Sequence, residues 1–220
     1  MPLESQHMDE AGCSPVANDE ADAMSNVGNT GSTNPDAPQP TDDTHLVLER
    51  LLAAHEAFFD VTRDCEYAGR CFGGYAEFHS LGEKYVLTKK AKLWEVAAHE
   101  YLFFTQVDVL DEATFDKLLE FMTTKATDKV EPGPNHMTSY ISLVIIAKSA
   151  DDAVAKKLRR TSFHKTYKFG FQGWAELRLC LVDLAGKQVT TNAMGKTMRP
   201  LLERNAGFAT TGSTKKLFRR

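Results

Sequence analysis

Between Phe163 and Val182 the residues alternate in type with period two, and the polar half is rich in groups that bind ligands. His164, Thr166, Lys168, Gln172, Glu176 and Arg178 occupy even positions. Phe163, Tyr167, Phe169, Phe171, Leu177, Leu179 and Leu181 occupy odd ones. On an extended chain the odd set enters the core and the even set shares one open face. Lys168 and Arg178 could hold an anion there, beside the Trp174 ring. The competing reading is a solvated Glu176–Arg178 pair worth roughly 0.2–1 kcal/mol. Gly170 and Gly173 mark a bulge or bend, across which the phase is not guaranteed.

His136 follows the Pro-Gly-Pro-Asn loop and begins a strand, a position that often hosts function and as often a packing residue. Were His136, His164 and Glu176 to meet in one cleft, they would form an acid–base site. No Ser or Cys has an identifiable base and orienting partner, so no residue is assigned a catalytic role. The ligand-binding candidates are therefore His136, His164, Lys168, Trp174, Glu176 and Arg178. His99 and Glu100 fall in an expected hairpin turn, exposed to solvent.

Four further patterns fall short. Thr190 to Thr197 resembles the end of a P-loop, but Thr190 stands where a Gly must let backbone N–H groups wrap phosphate. The element order resembles the core of the PD-(D/E)XK nuclease-like fold, yet the segment Tyr101–Val107 holds neither acid nor Lys for a metal-assisted cut. Lys168-Phe-Gly-Phe171 is loosely similar to an RNA-recognition signature. RNA readers expose their rings, whereas these share a phase with Leu177 and Leu179 and are expected in the core. Cys13, Cys65, Cys71 and Cys180 form no C-x-x-C pair, and the Cys65/Cys71/His79 spacing fits no zinc pattern. No metal or cofactor is expected, and the cysteines are expected as free thiols in a reducing cytosol.

The elements that must position these residues follow from periodicity. Leu48, Leu51, Leu52, His55, Phe58 and Phe59 make one stripe of a first helix running to about Phe59, capped by Thr41 or Thr44. Three β segments come next: Phe72 to His79, Lys84 to Val96 and Tyr101 to Val107. Short turns between them imply an antiparallel meander. Asp111 caps a second helix through Phe115, Leu118, Leu119 and Met122. Met137 to Ala147 reads as a strand whose second half is apolar on both faces, so it should be central and covered on both sides. A third helix spans Asp151 to Arg160, with Ser149 and Asp152 as a capping device. A final strand covers Gln188 to Thr191, and a weak helix Thr197 to Arg204. The fold class is α+β: a mixed, mostly antiparallel sheet in α-βββ-α-β-α-ββ order with helices packed on it.

Charge and composition divide the chain. Residues 1–43 carry 9 acidic groups and no Lys or Arg. They bury too little apolar surface to offset ordering, so an acidic disordered tail is expected. Residues 44–205 form a single domain, and 206–220 a flexible basic tail. From Lys156 onward there are 15 basic residues against 3 acidic. That bias suits an anionic ligand or nucleic acid, and equally a solubilising surface. The longest apolar run, Leu143 to Ala147, is far below the roughly 20 residues that span a bilayer. No basic-then-apolar leader opens the chain, so a cytoplasmic location without membrane contact is expected. Pairing of a sheet edge in a homo-oligomer is a further reading.

Three stretches together resemble an uncharacterised prokaryotic domain family of unknown function. They are Lys84-Tyr-Val-Leu-Thr-Lys-Lys90, Asn135-His-Met-Thr-Ser139 and the run from Phe163-His-Lys through Phe169-Gly-Phe-Gln-Gly-Trp174 to Leu181-Val-Asp-Leu184. The resemblance covers Leu46 to Leu202. It implies a single domain and assigns no catalytic residue, cofactor or partner.

Overall fold

A computed structural model describes residues 43–85, 92–133 and 136–208, with the backbone alone over 80–85 and 92–97. The acidic tail, a Thr41 cap, most of the Lys84–Lys90 motif and the segment from 209 onward lie outside the described residues.

The chain runs α1 (Asp43–His55), β1 (Asp60–Tyr67), β2 (Arg70–Tyr85), β3 (Lys92–Leu110), α2 (Glu112–Thr124), β4 (His136–Ala150), α3 (Asp152–Arg160), β5 (His164–Thr166), β6 (Trp174–Asp183), β7 (Gln188–Thr191) and α4 (Arg199–Asn205). All seven strands form one sheet in the order β1-β2-β3-β4-β6-β5, with β7 also on β6. β1, β2 and β3 are the antiparallel meander. β4 lies parallel to β3 and to β6, because helices α2 and α3 intervene in the chain between those strands. β5 and β7 run antiparallel to β6 and share its outer edge. This is the mixed, largely antiparallel α+β architecture that the element order implies.

Strand parity sorts the core onto two faces. Tyr101, Phe103, Ile141, Leu143, Leu177 and Leu179 pack with α2 and α3 through Phe115, Leu118, Met122, Val154 and Leu158. Leu102, Phe104, Val144, Ile146, Cys180 and Val182 pack with α1 and α4 through Leu48, Leu51, Leu52 and Leu202. Every residue from Leu143 to Ala147 is fully buried, as a central strand requires. The Asp111 side chain accepts from the Thr114 N–H at 2.7 Å and starts α2. Asp151 occupies the N-cap of α3 with no side-chain hydrogen bond, so the Ser149/Asp152 device does not form. Beyond α4, Ala206 and Phe208 fold back onto the core.

Three boundaries differ from expectation. β1 was not anticipated, because Asp60, Arg63, Asp64 and Glu66 leave it little apolar pattern. An edge strand needs little, and charge there deters pairing with other chains. It joins β2 through a two-residue turn at Ala68 and Gly69, both at positive φ. The expected turns at Leu81–Glu83 and Ala97–Glu100 lie inside one long hairpin, in which Leu81 pairs with Ala97 and His79 with His99. Their polar and small residues read as punctuation, but cross-strand register places them in the ladder.

The third difference affects the site. Phe163 to Val182 is not one extended run. β5 holds three residues, and the chain then reverses through Lys168, Phe169 and Gly170 at φ 43°, 56° and 89°. Phe169 is 99% exposed and Phe171 85%, so the expectation of core burial fails at both. Leu177, Leu179 and Leu181 lie beyond the reversal and keep their core phase.

Candidate functional site

Four of the six candidate residues share one sheet face. Register aligns Glu100, Tyr140, Glu176 and His164 in a row across β3, β4, β6 and β5. Arg178 sits one row on, with Ser142, and Trp174 one row back, between Thr138 and Thr166. These positions continue the face packed by α1 and α4, past the apolar residues those helices contact. The Arg178 guanidinium lies 3.6 Å over the Tyr140 ring, and its Nη1 donates to Glu100 Oε2 at 2.9 Å. His164 Nδ1 meets Glu176 Oε1 at 2.7 Å. Both basic groups of the row thus already face a carboxylate. The Glu176–Arg178 pairing expected along the strand is replaced by two cross-strand pairs. Arg178 Nε and Ser142 Oγ are buried without a hydrogen-bond partner.

His136 stands on the opposite face. Its ring lies parallel to that of His99 with centroids 5.9 Å apart, and edge-on to Tyr167. Nδ1 donates to the Gln172 carbonyl at 2.7 Å, so in the neutral ring Nε2 accepts from the Ser139 hydroxyl at 2.9 Å. The sheet therefore separates His136 from the His164–Glu176 pair. A Cβ at Gly173, where φ is +77°, would lie 2.5 Å from His136 Nδ1 and 2.6 Å from the Met137 carbonyl, so no other residue fits there.

Around His136 the polar face continues. His99 and His79 approach Nδ1 to Nδ1 at 2.9 Å, one donating to the other. The Tyr75 hydroxyl donates to Glu77 at 2.6 Å, and Lys129 lies 4.7 Å from the Tyr75 ring centroid. Burial, then the neighbouring His79 and His136, hold the His99 pKa below its ordinary value. Burial, then Glu131 and Glu77, push the Tyr101 phenol up to about 12. His99 thus lies inside β3, among ionisable groups, not in a solvated turn. Among the described residues no group of three or more His, Cys, Asp or Glu side chains is arranged to hold a metal. Cys65 and Cys180 are free thiols, as expected, whereas Cys71 is disulfide-bonded.

Lys168 is exposed in the reversal between β5 and β6. Two features near it escaped the sequence reading. The first is the exposure of Phe169 and Phe171, hinted at only by the flanking Gly170 and Gly173. The second is a basic surface on α3. Lys156, Arg159, Arg160 and Gln188 line an open depression of about 480 Å³ together with Asp152 and Ala155. Lys157 is held by Glu112 and Asp116 at 2.6 and 2.7 Å. Lys156, Arg159 and Arg160 form no such pair among the described residues. The basic bias after Lys156 was the available signal, though it could not show which cations are uncompensated.

Fold and site together define a single α+β domain: a mixed sheet with helices on both faces, an ion-paired sheet surface and a basic helix beside its outer edge. The chain belongs to the family described as Domain of unknown function (DUF8052), whose model matches residues 43–204. No curated protein and no solved structure matches the chain. No helix among the described residues is long and apolar enough to cross a membrane.

Proposed function

We propose that the domain is a non-enzymatic binding module for an anionic partner, either a phosphate-bearing ligand or nucleic acid. One observation supports this above the rest: Lys156, Arg159 and Arg160 border one depression, and among the described residues none of the three forms an ion pair, Asp152 being the one carboxylate among the residues that line it. Clustered cations repel one another, and an anion seated among them relieves that repulsion. Arg159 and Arg160 also offer planar forks that match phosphate oxygens. The sheet face fits an anion less well, because Glu100 and Glu176 already neutralise Arg178 and His164. The proposed site thus moves from the strand face to α3 and the adjoining end of β7.

The test is a salt titration of binding to a labelled single-stranded oligonucleotide and to inorganic polyphosphate. Contacts from three cations should give a log–log slope near about −2 on a single strand. The triple variant K156Q/R159Q/R160Q should weaken both and flatten that slope. Affinity that ignores salt, or survives the triple variant, would refute the proposal.

A further inference from the structure

We infer that the Lys168–Phe171 turn is a stacking platform for the bases of a single-stranded nucleic acid. This rests on the anionic-partner reading and narrows it to one class of partner.

Phe169 and Phe171 are the two most exposed large apolar side chains among the described residues. Their exposure is not slack in a loose loop. Lys168 and Phe169 are held consecutively in the left-handed region, a strained conformation for residues other than glycine. The turn is tied at several points. The Tyr167 carbonyl accepts from Gly170 N at 2.9 Å and from Gln172 N at 3.2 Å, and Tyr167 N donates to Gly173 O at 3.0 Å. From below, His136 Nδ1 holds the Gln172 carbonyl, and the close seat of Gly173 fixes the exit into β6. His136, chosen from sequence as a site residue, thus supports the turn. Strain maintained by such a frame presents two rings to solvent in a fixed pose. A base that stacks on them loses little to ordering the protein.

The surroundings match a polyanion bearing flat rings. Lys168 lies within the turn and Lys165 just before it, exposed like the two phenyl groups. Trp174 follows the turn, half-buried on the open face, one row from Tyr140. The uncompensated cations of α3 precede β5 by a few residues, and Gln188, which lines their depression, begins β7. β5 and β7 share the outer edge of β6, so the turn and the α3 cations border the same sheet edge, with Trp174 on the sheet face opposite α3. A strand laid along that edge can set phosphates on α3 and bases on the turn. Stacking on aromatic rings strengthens binding base by base and tolerates any sequence. A lipid surface would call for a broader apolar patch. Of the other exposed large apolar residues among those described, Met137 alone adjoins the turn, through its carbonyl beside Gly173, while Leu46, Phe58 and Val109 lie on α1, the α1–β1 connection and the end of β3.

The experiment measures binding of the full chain to a labelled oligouridylate, to inorganic polyphosphate and to phosphatidylserine vesicles. The comparison is between the wild type, F169A/F171A, F169Y/F171Y and K156Q/R159Q/R160Q. Thermal melting checks each fold. F169A/F171A should lose at least about tenfold in oligouridylate affinity and bind polyphosphate unchanged, while F169Y/F171Y keeps both. If only the charge variant weakens oligouridylate binding, stacking is overturned while the anionic-partner reading stands. If F169A/F171A instead releases vesicles and leaves oligouridylate bound, the turn is a membrane contact and the inference is wrong. If the wild type binds neither polyanion, both readings fall together.

Discussion

Asn192 is the most consequential polar side chain in the core, and replacing it tests how the outer sheet edge is held. β5 pairs with β6 only through Glu176, and β7 pairs with it only from Cys180 onward. Between them the outer edge of β6 lacks a strand partner, while its inner edge stays paired with β4. The fully buried Asn192 fills the gap: its Oδ1 accepts from Leu179 N at 3.1 Å and Gly195 N at 2.9 Å. Its Nδ2 donates to Leu177 O at 2.9 Å and Thr161 O at 3.2 Å. Its own N–H reaches Leu179 O at 3.0 Å. Asn192→Ala keeps that backbone bond and removes the other four. Leaving a buried donor or acceptor unpaired costs about 1–3 kcal/mol, so the two β6 groups alone imply a loss of about 2–6 kcal/mol. That is a large share of the roughly 5–15 kcal/mol that stabilises a domain. Urea unfolding should show the midpoint falling with the slope unchanged. A loss below about 1 kcal/mol would mean that the gap closes without the amide and would refute the reasoning. Asn192→Asp is the sharper variant, because it keeps the acceptor and turns the donor into an anion facing two carbonyls. Burial raises such a carboxyl's folded pKa above its unfolded value of about 3.9, so its penalty should grow as pH rises past about 4.

Other substitutions probe the two sheet faces. Arg178→Lys removes the flat guanidinium from the Tyr140 ring and the fork from Glu100, and should cost about 1–2 kcal/mol in urea unfolding; no loss would mean that the stack contributes nothing. His99 has a depressed pKa, so the unfolded chain binds more protons just below about pH 6.5 and stability should fall as pH drops through that value. Melting temperatures between about pH 7.5 and 5 should fall less in His99→Asn, and parallel curves would refute the assignment. Burial pushes the Cys180 thiol up to about 12, so in a C13S/C65S/C71S background, where it is the one thiol left, a disulfide reagent should modify it only at the rate of unfolding. Rapid labelling of the native protein would contradict that burial.

The fold was legible where one physical rule governed several neighbours at once. The amphipathic spacing of Phe115, Leu118 and Met122 behind Asp111 could only be a capped helix. The doubly apolar run Leu143–Ala147 could only be a covered strand. β1 was illegible because an edge strand has no need to be apolar. The long β2–β3 hairpin was misjudged because register is a property of two strands. Gly82, Glu83, His99 and Glu100 each favour a turn in isolation, yet the ladder pairs His79 with His99 and continues through them. Asn192 gave no signal at all, since its role exists only where two short strands leave a third unpaired.

At the candidate site, alternation identified the right face and the wrong chemistry, both for the same reason. Parity places Trp174, Glu176 and Arg178 together, and β6 obeys it. Parity says nothing of what lies across the ladder, and Glu100 on β3 meets the guanidinium that the strand alone appeared to offer to a ligand. Carried back through Gly173 and Gly170, the same rule fails. The chain reverses there, and a phase counted from Leu177 no longer describes Phe171 or Phe169. A sequence that places two phenylalanines around a glycine, with Lys165 and Lys168 before them, suits a buried strand or an aromatic turn equally well by composition. What decides is the space beneath: His136 and the Met137 carbonyl occupy the position a side chain at residue 173 would need, and so force the glycine and the reversal. The exposed rings therefore depend on a contact made by residues near 136, too distant in the chain for local periodicity to register.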